Sequence, residues 1–344
     1  MGFLNARLAK NSLPPLSWSL AALRAIAGSA VKIGAGHVIS VRPYRLLFST
    51  FLTLAITACG AQTPQITVEP SPSPTNPSQP VTIQVNTEVP ITPHPISCDD
   101  WQSLPVIPVV SKTVRELYER GQASGNDPGA FSKIGDGEIA AAWFFTAFDL
   151  GGDYYDLASY QNLLPVIEHF DGAFERIGMA ARRGFNTNLI LDASASDSIL
   201  CGSGESPLSC ELRLHRPAFA ILALGTNQAW RRDEFDVGMR QILDILLSKK
   251  VVPILSTKGD NLEGDHGINR TVACLAKEYD VPLWNFWSAI QPLPNHGLQA
   301  DLEHFTYGIN DFDDPTAMQS AWAIRNLTAL QALDAVWRGV TAQP

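Results

Sequence analysis

The chain is short of positive charge. Its 344 residues carry 25 Lys and Arg against 34 Asp and Glu, a formal net charge of −9. The deficit is uneven. Residues 1–58 hold Arg7, Lys10, Arg24, Lys32, Arg42 and Arg45 and no acid. Removing those six bases leaves 19 against 34 acids, so residues 59–344 have a net charge of −15. A surface this acidic repels phosphate backbones, which argues against nucleic acid as a partner. Cysteine is scarce as well, at five residues. No Cys-x-x-Cys and no Cys/His ligand spacing occurs, so no metal site is expected, and no motif asks for a cofactor. Also missing is an apolar stretch of about 20 residues suited to a transmembrane helix. Apolar residues in general are not missing. At 45% of the chain they suffice for a packed core.

The N-terminal third divides by composition. In residues 42–59 two arginines precede an apolar run of about a dozen residues that ends in small ones. That pattern matches an export signal. Its end, Ile56-Thr57-Ala58-Cys59-Gly60, resembles a bacterial lipobox. The resemblance implies that Cys59 is acylated and becomes the mature N-terminus. The alternative is an ordinary signal peptide with a chance cysteine. Residues 1–40 are long for a prelude to such a signal, and a start near Val38 or Val41 is expected. Residues 60–97 hold nine of the 24 prolines and no Lys or Arg. They cannot bury a core and read as an extended tether. At ~3.1 Å per residue, these residues reach roughly 120 Å. The expected location is therefore the cell envelope, anchored to the membrane by lipid and facing the extracytoplasmic side.

Export places the remaining cysteines in an oxidising compartment. Cys201 and Cys210 flank a Gly/Ser/Pro loop and are expected to pair. Cys274, among Val272, Leu275 and Ala276, reads as a buried thiol, while Cys98 has two readings, paired or free.

From Cys98 to the C-terminus, short apolar runs alternate with amphipathic stretches. Candidate strands are Phe131–Ile134, Asn188–Leu191, Pro217–Leu224, Val251–Leu255 and Pro282–Phe286. Helical periodicity covers Phe235–Leu247, Ile268–Tyr279 and Gln319–Val336. Nearly all-apolar strands separated by helices indicate a parallel sheet covered on both faces. Residues 98–344 are thus expected to form one three-layer α/β/α sandwich around a central, mainly parallel five-stranded sheet. A ligand should bind beyond the carboxyl ends of its strands. Nothing in the sequence reports an oligomeric state.

Three small motifs stand where chemistry is expected. Gly135-Asp136-Gly137-Glu138 follows the first strand. Gly225-Thr226-Asn227 ends the third, where a neutral amide can donate to a developing oxyanion. Asp301-Leu302-Glu303-His304 precedes the last helix. There the carboxylate can fix the imidazole tautomer and leave the other nitrogen as base. With Arg183-Gly184-Phe185, these blocks resemble, in order, those of the SGNH (GDSL-type) hydrolase superfamily of esterases and lipases, over about residues 130–338. The resemblance implies an α/β/α fold and small acyl-ester or glycan-ester ligands. It assigns His304 as base and Asp301 as its orienter. The oxyanion donors would be the N–H groups of residues 137 and 184 and the Asn227 amide. The chain departs from the family at the nucleophile: glycine occupies position 137, where the pattern has serine. Gln228 also stands where aspartate is common.

Glycine keeps a backbone N–H but has no hydroxyl. Two readings follow. One is hydrolysis by a water that His304 activates. The other is a pseudoenzyme that uses the same cleft to bind glycans or small ligands. Ser132 points along the sheet; Ser194, Ser196 and Ser198 lie nearer the expected site. Glu138 reads first as a first-turn glutamate and second as a base or nucleophile. Trp230 is a candidate sugar platform, Trp284 and Trp287 read as core, and His296 rivals His304 as base. Asp311, Asp313 and Asp314 read as a solvated loop rather than a calcium site.

Overall fold

A computed structural model of the chain describes residues 98–342. Cys59, the export signal and the tether lie outside the described residues. The elements run α1 (Lys112–Ala123), β1 (Asp127–Gly135), α2 (Gly137–Ala140), α3 (Thr146–Leu150), β2 (Tyr155–Asp156), α4 (Leu164–His169), α5 (Thr187–Leu191), α6 (Pro207–His215), β3 (Pro217–Ala223), α7 (Arg232–Ser248), β4 (Val252–Ser256), α8 (Gly267–Glu278), β5 (Leu283–Trp284), α9 (Phe286–Ile290), β6 (Asn310–Asp311) and α10 (Ala321–Thr341). The main sheet is parallel, in the order β1-β3-β4-β5. Phe131 pairs with Phe219, Phe219 with Val252, and Leu255 with Leu283.

The strands are apolar on both faces because both faces are covered. Phe219, Ile221 and Ala223 of β3 join Phe131, Trp284, α1 and α10 in one core. Ala220 and Leu222, one residue out of phase, join Ile134 and helices α5 to α8 in the other. In α7 the buried set Phe235, Gly238, Met239, Ile242, Leu243 and Leu246 follows helical spacing and gives the helix one core-facing stripe. By contrast, α10 buries fourteen of its 21 residues, so it is wrapped nearly all round. The result is the expected α/β/α sandwich.

Three expectations change. The sheet has four strands, not five, because 188–191 is part of helix α5. Asn186 caps that helix by accepting from the Leu189 N–H at 2.9 Å. A short apolar run alone does not distinguish strand from helix, and here the cap decides. The place of the missing strand is taken by one parallel bridge, Gly135 to Ala181. Its hydrogen bonds run from Gly135 N–H to the Ala180 carbonyl (2.9 Å) and from Arg182 N–H to the Gly135 carbonyl (3.1 Å). The last strand is also shorter than expected, ending at Trp284, with Phe286 already in α9.

The second correction concerns Cys274, which is bonded to Cys98 rather than being a buried thiol. Their sequence separation is 176 residues. In the chain-entropy account, so long a loop gives a stabilisation of roughly 4–5 kcal/mol. A second disulfide joins Cys201 and Cys210. The third change is a small unforeseen sheet of β2 with β6. Asp311 belongs to it, and its Oδ1 accepts from the N–H groups of Asp313 and Asp314, at 3.2 and 3.1 Å. This is turn chemistry. Among the described residues no group of His, Cys, Asp or Glu is arranged to hold a metal ion. No described helix is long and apolar enough to cross a membrane.

Candidate functional site

The cleft opens at the carboxyl end of β1. There Gly135 lies so close to β3 that a Cβ would meet the Ala223 carbonyl oxygen at 2.0 Å. Only glycine allows the strand to turn at that point. Asp136 follows and caps α2, its Oδ1 accepting from the Glu138 N–H at 3.2 Å. Gly137 is thereby the first residue of a helix, a position whose N–H has no intrahelical acceptor. Its own backbone is not in the left-handed region, and a Cβ would meet only the Arg183 side chain and Cα, at 3.6 to 3.9 Å. Nothing in the fold demands glycine at 137.

His304, paired with Asp301, shares the cleft lining with Gly137. Asp301, Leu302, Glu303 and His304 form a tight turn, with Leu302 at φ 59°. Asp301 Oδ1 accepts from the N–H groups of Glu303 and His304, at 3.1 and 3.0 Å. Its Oδ2 accepts from His304 Nδ1 at 2.8 Å. The turn's backbone N–H groups, His304's first, hold the Asp301 carboxyl down at about 2. The carboxylate in turn raises the imidazole above its ordinary value. With Nδ1–H engaged, Nε2 carries the lone pair. A bridge between Leu298 and Phe305 and the bond from Gln299 N–H to the His304 carbonyl, at 2.8 Å, pin the loop at its base.

Gly137 and His304 line the same cleft of ≈ 470 Å³. Trp143, Ile177, Arg183 and Tyr307 supply its walls. Trp143 and Tyr307 are 53% and 63% exposed, and their ring centroids are 5.5 Å apart. Arg183 makes no hydrogen bond or ion pair among the described residues. Ile177 and Arg183 share the loop between α4 and α5, while Trp143 and Tyr307 come from two other loops, and nothing local in the sequence marks the three segments as neighbours.

Glu138 forms part of the floor. Its carboxyl makes no hydrogen bond, and Oε2 is fully buried. Burial lifts it above the ordinary carboxylate range, against the pull of Arg325 and His304. Asp136 behind it is fully enclosed and pushed up to about 7 by burial. Arg325, on α10, is 1% exposed. Its guanidinium lies over the rings of Phe144, Trp284, Phe286 and Phe305, at 4.8 to 5.3 Å. Such a cage compensates a buried cation through the ring quadrupoles. Burial still lowers Arg325 to about 10, which leaves it charged at neutral pH.

The remaining expected residues are elsewhere. Gly184 is exposed, at φ 83°, and does not line the cleft. Nor does Asn227, whose Nδ2 donates to the Phe185 carbonyl at 2.9 Å. The preceding Thr226 ties the third block inward, its Oγ1 donating to Asp260 Oδ2 at 2.6 Å. Asp260 and Glu263 both pair with Lys258 in a buried network. Of the three expected oxyanion positions, 137 alone is among the residues lining this cleft. Ser132 is buried and donates to Glu211. Ser194 donates to Asp192 and Ser196 to the Glu205 carbonyl, and no serine lines the cleft. Trp230 is 76% exposed, away from the cleft. Trp284 is fully buried. Trp287 packs on Trp101 and His266. His296 is turned to the Gln291 carbonyl.

No family model and no curated protein matches the chain. Among solved structures it is similar to a GDSL-like lipase from Bacteroides thetaiotaomicron VPI-5482, with 12% identity and a TM-score of 0.36 over 64% of this chain and 97% of that one. It is also similar to a G-D-S-L-family protein from Desulfitobacterium hafniense DCB-2, with 13% identity and a TM-score of 0.35 over 60% of this chain and 99% of that one. At such values the architecture stands on the chain's own sheet and layers.

Proposed function

We propose that residues 98–344 are an SGNH-type hydrolase domain that cleaves small acyl esters, acetyl esters of glycans foremost. Water is the nucleophile in place of the missing serine. His304 Nε2 takes a proton from a water seated in the space beside Gly137, and Asp301 holds the ring in the required tautomer. The carrying observation is the formed Asp301–His304 pair opening onto the same cleft as Gly137. Binding alone gives no need for such a pair. The exposed rings of Trp143 and Tyr307 suit a sugar, which presents apolar ring faces.

The test is acetate release from acetylated oligosaccharides by the full chain. His304→Ala should lower the rate ~10²- to 10⁴-fold, the usual contribution of a positioned base. An unchanged rate would remove His304 from the reaction. One group of observations favours the binding-module reading: Gly137 has no hydroxyl, and the Asn227 amide is engaged by Phe185. That reading expects wild type and His304→Ala to bind acetylated oligosaccharide equally and neither to release acetate.

The anchor belongs to the same proposal. The basic, apolar and small-residue order before Cys59 supports acylation there, with residues 60–97 as spacer. Cys59→Ser should move the protein from the detergent phase to the aqueous one. Full retention in the membrane fraction would exclude Cys59 as the anchor.

A further inference from the structure

Water attack needs more than a base. The departing group of an alkyl or sugar ester is an alkoxide, far more basic than water at neutral pH, and it leaves slowly unless protonated as the bond breaks. Among the described residues that line the cleft, one carboxyl group stands beside the imidazolium that His304 becomes and the exposed phenol of Tyr307. Glu138 shares the cleft lining with His304 and Gly137. Its carboxyl has no hydrogen-bond donor and no ion pair within reach, and one oxygen is wholly shut from solvent. A carboxylate so placed loses hydration and gains no hydrogen bond, and that cost outweighs the pull of Arg325 and His304, so the carboxyl is raised above its ordinary value. The buried cation Arg325 acts on it through charge without a hydrogen bond, its guanidinium lying over four aromatic rings.

We propose that Glu138 is the general acid of this cleft, protonating the leaving alcohol, and that the substrates are therefore esters of poorly leaving alcohols such as sugar hydroxyls. This rests on the hydrolase reading above. In the step, the water oxygen bonds to the acyl carbon while His304 Nε2 takes one of its protons. The bond from acyl carbon to alcohol oxygen breaks, and that oxygen takes the proton of Glu138. Acid and alcohol leave. The proton on His304 then returns, directly or through solvent, to the Glu138 carboxylate, restoring both groups. Burial raises the Glu138 carboxyl, against the pull of Arg325 and His304. Trp143 and Tyr307 give the ring of such an alcohol a face to lie on.

The experiment compares 4-nitrophenyl acetate, whose phenolate leaves unaided, with an acetylated methyl glucoside. The proteins are the full-length wild type, Glu138→Gln, Glu138→Asp and His304→Ala. Glu138→Gln should keep the nitrophenyl rate within about threefold and lower the sugar-ester rate ~100-fold. Glu138→Asp, an acid one methylene shorter, should restore part of the sugar-ester rate only. His304→Ala should lower both. If both Glu138 variants lose the two substrates in equal proportion, or neither loses the sugar ester, Glu138 is not the acid, and the hydrolase reading survives on His304. If wild type releases acetate from neither substrate, both readings fall together.

Discussion

Gly137→Ser is expected to turn a cleft inert to fluorophosphonates into one that is labelled stoichiometrically. Wild type has no hydroxyl lining the cleft beside His304 other than the phenol of Tyr307, so it should stay unlabelled. The substitution is sterically open. Residue 137 opens α2 outside the left-handed region, and its Cβ would make ordinary contacts with Arg183 at 3.6 to 3.9 Å. Serine is also well tolerated at the start of a helix. Its hydroxyl would enter the space that His304 borders, with the base already oriented by Asp301 at 2.8 Å. Acyl-ester turnover should then rise on the order of 10²- to 10⁴-fold over wild type, through a covalent acyl-enzyme. Gly137→Ser/His304→Ala should lose both labelling and the gained turnover. Circular dichroism and thermal melting establish folding independently. A well-folded Gly137→Ser that stays unlabelled would show that residue 137 does not face the imidazole. A labelled wild type would reveal a nucleophile elsewhere.

Asp136→Asn should stabilise the protein at pH 8 and leave it nearly unchanged at pH 4. Burial holds the Asp136 carboxyl at about 7 in the fold, against an ordinary value of 3.8. The folded chain therefore binds this proton more tightly than the unfolded one. The associated stability is fully present below about pH 4 and is lost as pH rises through about 7. At ~1.4 kcal/mol per pKa unit, the loss is on the order of 4 kcal/mol by pH 8. Asparagine is neutral throughout and keeps an oxygen to cap the Glu138 N–H, so it should recover roughly 2–4 kcal/mol at pH 8. Urea unfolding of both proteins at the two pH values, with disulfides intact, measures the difference. A constant gap between them would mean that Asp136 does not titrate in this window. The comparison removes the opposite contribution of carboxyls with depressed values, such as Glu205 and Asp301, because both proteins contain them.

The legible parts of the fold share one property: their signal is contained within a short stretch. The run from Pro217 to Ala223 is apolar throughout because β3 is central and covered on both faces. The stripe from Phe235 to Leu246 has helical spacing because α7 turns one side to the core. Asp301 and His304 are three residues apart, so their contact is nearly intrinsic to the turn that holds them. The misread parts needed longer reach. Asn188–Leu191 was apolar enough for a strand, yet the choice rested on the Asn186 cap and on a sheet edge taken by Ala181. Cys98 and Cys274 are brought together only because α8 packs near the start of the described domain.

The sequence by itself determined the alternation of buried strands and helices, the Asp301–His304 pair and the absence of a hydroxyl at 137. Each depends on periodicity, neighbours or identity, which are properties of chain order. Tertiary structure alone decided that Trp143, Ile177, Arg183 and Tyr307 wall one cleft, and that the Asn227 amide donates to the Phe185 carbonyl. It also decided that Arg325 sits charged among four rings rather than in water, and that Glu138 is left without a hydrogen bond. The physical reason is that burial and solvation belong to a place in the packed molecule. A glutamate and an arginine carry the same atoms on a surface or in a core. The neighbours that raise one and cage the other come from segments far apart in the chain.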